Sequence, residues 1–141
     1  AETLFAKPID EQGLDELSAI AKQCNKVANL IGFIEEEYSD YAREMYKYDF
    51  VVKKVRPYQS GYIRMSNKFT TYRDQAHFNL GVKSKKAGNS IAAFFYFRDA
   101  FRLTTFTDEA PPHKGLRYKA EIEMKKILGL EELETFIYWK D

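Results

Sequence analysis

The feature that most constrains the fold is a regular row of apolar and aromatic residues in the first third of the chain. Ten such residues follow one another at alternating spacings of three and four positions. A spacing that averages 3.5 residues places every member on one side of an α-helix. The row comprises Leu17, Ile20, Cys24, Val27, Ile31, Ile34, Tyr38, Tyr41, Met45 and Tyr48. We therefore predict one long helix over residues 10–48, capped by Asp10.

Two interpretations of this row are open. In one, the helix lies across a β-sheet and supplies half of the core. In the other, the 17–48 stripe pairs with the stripe of a second copy in a homodimer. Leu30 and Phe33 lie beside the row and widen its apolar face, which favours a sheet over a narrow two-stranded seam. We expect the sheet and keep the homodimer as the alternative.

After Asp49 the pattern changes to a two-residue alternation interrupted by turn-forming residues such as Pro57 and Gly61. The strand candidates are residues 50–55, 62–65, 69–72, 76–82, 91–97 and 101–106. A polar loop over residues 84–90 is typical of a connection between two strands of a hairpin. Residues 91–97 are almost wholly apolar and indicate a central strand, with a short buried helix as the alternative. The pattern predicts an antiparallel meander over residues 49–107.

The sequence of the carboxy-terminal part is compatible with both a strand and a helix. Residues 116–128 alternate as a half-exposed strand would, yet they also carry opposite charges four positions apart, such as Glu121 and Lys125. The charge pairing favours a helix, and Gly129 can end it. We predict a helical segment over residues 116–138, made of one or two short helices.

Together these elements predict an α+β fold. A long amino-terminal helix packs on an antiparallel sheet of four to six strands, followed by the short helices. The chain has 141 residues, which suits a single domain over residues 1–141.

Positive charge is concentrated in the middle of the chain. Residues 50–90 carry nine Lys or Arg and a single acid, Asp74, for a net charge of +8. Residues 9–49 carry four Lys or Arg and ten acids, for a net charge of −6, while the whole chain has a net charge of only +1. Such an uneven distribution indicates a surface that attracts a charged partner, unless the acidic helix folds back on the basic segment.

Basic residues interleaved with aromatic rings are typical of a sheet that binds nucleic acid. Lys and Arg neutralise phosphates, and exposed rings stack on unpaired bases. We therefore predict a non-catalytic protein that binds DNA or RNA through this face. The predicted contacts are Lys53, Lys54, Arg56, Tyr58, Tyr62, Arg64, Lys68, Tyr72, Arg73, Lys83, Lys85 and Lys86.

The first alternative function is a protein-binding accessory factor, such as an inhibitor, an immunity protein or a regulator from a phage or mobile element. Its bipolar charge would steer it toward a charged partner protein. The second alternative is a small metal-independent ribonuclease that uses His77 or His113 as the acid and base, with Arg73 and Tyr72 at the phosphate. A metal-dependent version would use Asp108 with Glu121, Glu123 and Lys125.

Two histidines and one cysteine leave no zinc framework, and no phosphate-binding glycine loop is present. We accordingly expect no cofactor and no metal. No apolar run approaches the ~20 residues that span a bilayer. The single cysteine and the absence of a signal pattern at the first residues favour the cytoplasm.

Overall fold

The computed structural model describes residues 1–45, 49–103 and 115–130, and the side chains of these except residues 35–45, 49–52, 55–57, 59 and 60. This part of the chain contains five α-helices, one 3₁₀ turn and no β-strand. They are α1 (Glu2–Phe5), the 3₁₀ turn (Ile9–Glu11), α2 (Leu14–Met45), α3 (Asp49–Lys86), α4 (Ser90–Leu103) and α5 (Leu116–Leu128). The predicted α+β class is therefore wrong.

The predicted long helix is present as α2, and it packs on another helix rather than on a sheet. Its predicted start is wrong, because α2 begins at Leu14 and Asp10 lies in the preceding 3₁₀ turn instead of capping it. Its buried positions repeat at spacings of four and three: Leu17, Ala21, Cys24, Ala28 and Ile31. Leu17 and Ala21 form a cluster with Ala76 and Leu80 of α3. As far as Ile31 the row packs within its own chain, with Leu17, Cys24 and Ile31 buried and Ile20 and Val27 half-buried. The homodimer stays a prediction.

Helix α3 replaces four of the predicted strands and the basic meander. Its buried side includes Arg73, Ala76, Leu80 and Ser84, spaced by three and four positions. Only one of these four is a large apolar residue, so the helical period is hidden in the sequence. Pro57 adds to the misreading, because a proline inside a helix removes one backbone hydrogen bond and costs about 3 kcal/mol. The helix nevertheless continues through it.

The polar loop over residues 84–90 joins two helices, not two strands. Gly88 has a φ of 82°, a left-handed conformation that favours glycine. The Asn89 backbone N–H donates to the Ser84 carbonyl at 2.9 Å, which closes the end of α3. The Asn89 side chain then accepts from the Ala92 N–H at 3.1 Å and caps the start of α4.

Helix α4 occupies the predicted strand 91–97, so the strand is wrong and the buried helix kept as its alternative is confirmed. The same helix ends at Leu103, within the predicted strand 101–106, whose last three residues lie outside the described part. Ala93, Phe97 and Ala100 are fully buried, and they form a cluster with Ala120 of α5. Small residues at three of these four positions allow the helices to approach closely.

The helix predicted from residue 116 is confirmed as α5, and it ends where Gly129 adopts a φ of 70°. The predicted charge pair is present, with 3.4 Å between Lys125 Nζ and Glu121 Oε1. The rest of the predicted helical segment, residues 131–138, lies outside the described residues.

Consecutive helices pack on one another, and the side chain of Arg73 fixes their register. Its guanidinium donates to Asn25 on α2 at 2.9 Å and to the carbonyl of Leu103 on α4 at 3.2 Å. Helix α4 thus ends level with Arg73, while α2 and α3 continue past this level. We call residues 29–45 and 49–68 the arm. Only three residues separate α2 from α3, so the two segments of the arm lie side by side, and the α3 segment also reaches α1 through Lys68 and Glu2.

Candidate functional site

All twelve predicted nucleic-acid contacts lie on α3. The predicted sheet face does not exist in the described residues, and the twelve residues are spread over about 50 Å of one helix. Five of them are exposed on the arm, four are held by contacts within the chain and Arg73 is buried, while Tyr62 is half-buried and the Arg56 side chain lies outside the described part. Nothing in the structure supports the binding of nucleic acid by the set as a whole.

The exposed group forms one face of the arm. Successive residues of an α-helix are rotated by about 100°, so six exposed residues fall within roughly 140° of the circumference of α3. We call them the basic face: Lys53, Lys54, Tyr58, Arg64, Met65 and Lys68. Two of the predicted contacts on the arm are not among them, because Tyr62 is half-buried and the Arg56 side chain lies outside the described part.

The arm as a whole carries no net charge. Its α3 segment has five Lys or Arg and one acid, a net charge of +4, whereas its α2 segment has one Arg and five acids, a net charge of −4. Since the two segments are paired, the acidic helix runs alongside the basic one. The charge asymmetry of the sequence is therefore largely balanced between neighbouring helices.

Arg73 is buried and its guanidinium is occupied by protein groups. Besides its bonds to Asn25 and Leu103, its Nε donates to Asp74 Oδ1 at 3.0 Å. Burial raises the pKa of Asp74, and the neighbouring Arg73 opposes this shift. Because this buried guanidinium donates to three protein groups, the structure does not support the predicted phosphate contact of Arg73.

The last three predicted cations bind other parts of the same chain. Lys83 donates to the backbone carbonyls of Ile9 and Asp10, each at 3.3 Å. Lys86 pairs with the Asp10 carboxylate at 3.0 Å. Lys85 pairs with Glu123 on α5 at 2.7 Å. These lysines hold the amino-terminal segment and α5 against the end of α3, which is a structural role.

Tyr72 also serves the amino-terminal segment. Its hydroxyl donates to Glu2 Oε1, and its ring lies 6.1 Å from that of Phe5. The hydrogen bond to Glu2 raises the pKa of Tyr72 and lowers the pKa of Glu2. Lys68 lies 3.8 Å from the same carboxylate. Tyr72 is thus committed to α1 and is not an open stacking platform.

The described residues do not support the ribonuclease alternatives either. His77 is half-buried, and desolvation lowers its pKa although the charge of Asp99 opposes this shift. Its proposed companions Arg73 and Tyr72 are both committed to internal contacts. The second histidine, His113, lies outside the described part, as does Asp108.

For the metal-dependent version, Glu123 pairs with lysines of α3 and α5, and Glu121 is buried beside Lys125. Over residues 1–45, 49–103 and 115–130 there is no group of three His, Cys, Asp or Glu side chains that could hold a metal ion. None of the helices described is both long enough and apolar enough to cross a membrane.

No protein-family model, curated protein or solved structure matches the chain. The candidate site therefore stands on its own geometry. Met65 is the residue of the basic face that sequence reasoning missed, since it was assigned to a strand. Met65 is an apolar residue that does not lie on the buried side of α3. This can be recognised only when residues 49–86 are treated as one helix.

Proposed function

We propose that this is a non-catalytic protein-binding factor that docks through the basic face of its arm on an acidic surface of a partner protein. The observation that supports it is the exposure of four cations beside Tyr58 and Met65 on one side of a single helix. Interfaces are enriched in aromatic residues, methionine and arginine, with charges at the rim. With its one buried thiol, Cys24, the protein would act in the cytoplasm.

The charge balance of the arm favours a protein partner over a nucleic acid. Binding to a polyanion depends on net positive charge, because each neutralised phosphate releases counterions. A neutral arm loses most of this long-range attraction. Complementary charges at contact distance still orient a protein partner and exclude wrong ones. Tyr58 is the one exposed ring on the basic face, which is too little for a stacking surface.

The test compares two triple charge reversals that change the net charge equally. One variant, Lys53→Glu, Lys54→Glu and Arg64→Glu, alters the basic face. The matched control, Lys22→Glu, Lys26→Glu and Lys119→Glu, alters exposed lysines on α2 and α5 outside the arm. A photoreactive amino acid at position 65 identifies the partner by cross-linking in cells. The affinity of the separately purified partner for the unmodified protein and for each variant is then measured by calorimetry.

We expect the basic-face variant to weaken binding by at least about tenfold, while the control stays close to the unmodified protein. Equal losses in the two variants would contradict a specific face. Single- and double-stranded oligonucleotides are titrated in parallel at low salt. Oligonucleotide binding whose salt dependence falls in the basic-face variant alone would replace the proposal with nucleic-acid binding.

A further inference from the structure

Helix α4 is apolar on two opposite sides, and only one of them is used within the described part of the chain. The inner side carries Ala93, Phe97 and Ala100, all fully buried against α3 and α5. The outer side carries Ile91, which is 74% exposed, and Phe95, which is 47% exposed. A helix that is apolar on opposite sides is typically covered on both.

The outer side has the spacing of a helix-pairing seam. Ile91, Phe95, Arg98 and Arg102 follow one another at intervals of four, three and four, so they form one row along α4. We call these four residues the outer row. Its first half is apolar and its second half is cationic, and Arg102 at its end is exposed.

The two halves of the outer row are joined by a direct contact. The guanidinium of Arg98 lies over the ring of Phe95, 4.8 Å from its centroid, and one of its terminal nitrogens is 3.5 Å from Asp99. Stacking of this kind holds an arginine against an apolar surface while its charge remains available at the edge. With two arginines and one aspartate, this end of α4 has an excess of positive charge.

The size of the outer row indicates what covers it. From Ile91 to Arg102 the row is about 16 Å long, a few turns of one helix. A stable dimer of the whole chain buries at least about 1,200 Å², more than such a row supplies. A single amphipathic helix, by contrast, needs only a few apolar anchors one turn apart. Complementarity to Arg98 and Arg102 requires acids on that helix.

We infer that the outer row is a docking surface for an acidic amphipathic helix of a partner protein. The apolar side of that helix packs on Ile91 and Phe95, and its carboxylates pair with Arg98 and Arg102. This surface lies on α4 and shares no residue with the basic face of the arm. The inference is therefore independent of the function proposed for the arm.

The experiment uses two synthetic helical peptides of about 14 residues, or four turns. Both carry leucines at spacings of three and four; one has glutamates on the flanking positions and the other has lysines. Binding to the full chain is followed by fluorescence anisotropy. We expect the glutamate peptide to bind at least about tenfold more tightly than the lysine peptide.

Three variants locate the binding. Ile91→Asp removes an apolar anchor in the first turn of α4, where an acid suits the helix dipole, so the fold is retained. It should lower affinity for the glutamate peptide by about tenfold. The pair Arg98→Glu and Arg102→Glu should reverse the preference toward the lysine peptide. Leu14→Asp, at an exposed apolar residue in the first turn of α2 outside the arm, is the control and should leave the affinity unchanged.

Equal binding of the two peptides, or equal losses from Ile91→Asp and Leu14→Asp, would overturn the inference. So would a dimer of the protein that Ile91→Asp dissociates, because a second copy would then be the natural cover of the outer row. Thermal unfolding of each variant confirms that it is folded before binding is compared.

Discussion

At the scale of single residues, Arg73 shows how a sequence-based role can be reversed by burial. The residue type alone does not show whether an arginine in a basic segment faces solvent or the core. The available clue was its neighbour, because Asp74 is the one acid among residues 50–90. A lone acid beside an arginine indicates an ion pair, and the structure places both side chains in the interior.

The Arg73 contacts predict a large effect on stability. Arg73→Met leaves the Asp74 carboxylate buried without its cation, which should reduce the free energy of unfolding by about 3 kcal/mol. The double variant Arg73→Met with Asp74→Asn removes the buried charge and should recover part of this loss. Lys54→Met, at an exposed position, should change stability by less than about 0.5 kcal/mol. Urea denaturation at pH 7 measures all three, and a double variant as unstable as Arg73→Met would contradict this account.

His77 predicts a dependence of stability on pH. Because burial lowers its pKa below the ordinary 6.5, the unfolded chain takes up a proton at a higher pH than the folded chain does. Stability conferred by the neutral imidazole is therefore present above pH 6.5 and is lost as the pH falls through 6.5 and below. The raised pKa of Asp74 acts in the opposite direction at lower pH.

The measurement is the free energy of unfolding of the unmodified protein and of His77→Gln between about pH 7.5 and 5.5. The unmodified protein should lose more stability over this range than the variant. The value at the upper pH, where both side chains are neutral, accounts for the substitution itself. Parallel curves would show that His77 does not titrate differently in the two states.

At the scale of elements, the close approach of α3 and α4 depends on Gly81. A Cβ atom built at this position would lie 2.7 Å from the ring of Phe97, which is fully buried and has no room to retreat. In α3, Gly81 is the position against which the Phe97 ring of α4 packs.

Two alanine substitutions in α3 should have opposite effects. Gly81→Ala forces Phe97 out of place and should destabilise the protein by about 1–3 kcal/mol. Gly61→Ala meets no atom within 4 Å and should stabilise it by up to about 1 kcal/mol, because glycine is a poor helix former. Thermal unfolding of the two variants tests the contrast. If Gly81→Ala unfolds at the temperature of the unmodified protein, the α3–α4 contact is looser than described.

The elements also show which sequence signals were informative. The apolar row of α2 and the stop at Gly129 were interpreted correctly, because both follow directly from backbone and side-chain periodicity. Helix α3 was missed because polar and small residues occupy its buried side. The Gly88–Asn89 pair was the overlooked signal, since a left-handed glycine followed by a capping asparagine ends one helix and begins another.

At the scale of the whole molecule, the uneven charge of the sequence was observed correctly, but the packing of the two charged stretches on each other was not predicted. The basic and acidic stretches are real, and the sequence left open that the acidic helix folds back on the basic segment, but the helix-on-helix pairing was hidden while residues 49–107 were assigned to a sheet. Once α3 is recognised, a short connection requires the two oppositely charged helices to lie side by side. The proposed function depends on the exposed basic face of the arm rather than on the total charge.

The packing of each long helix on the next along the chain also has a consequence for how the molecule assembles. Contacts between residues that are close in sequence form with little loss of chain entropy. The α2–α3 pair and the α3–α4 pair can therefore each form outward from a short connection. The bonds from Glu2 to Tyr72 and from Gln12 to Asn79 span 70 and 67 positions, and they have no such short route. We therefore expect the amino-terminal segment to dock last, on a surface that the other helices have already built.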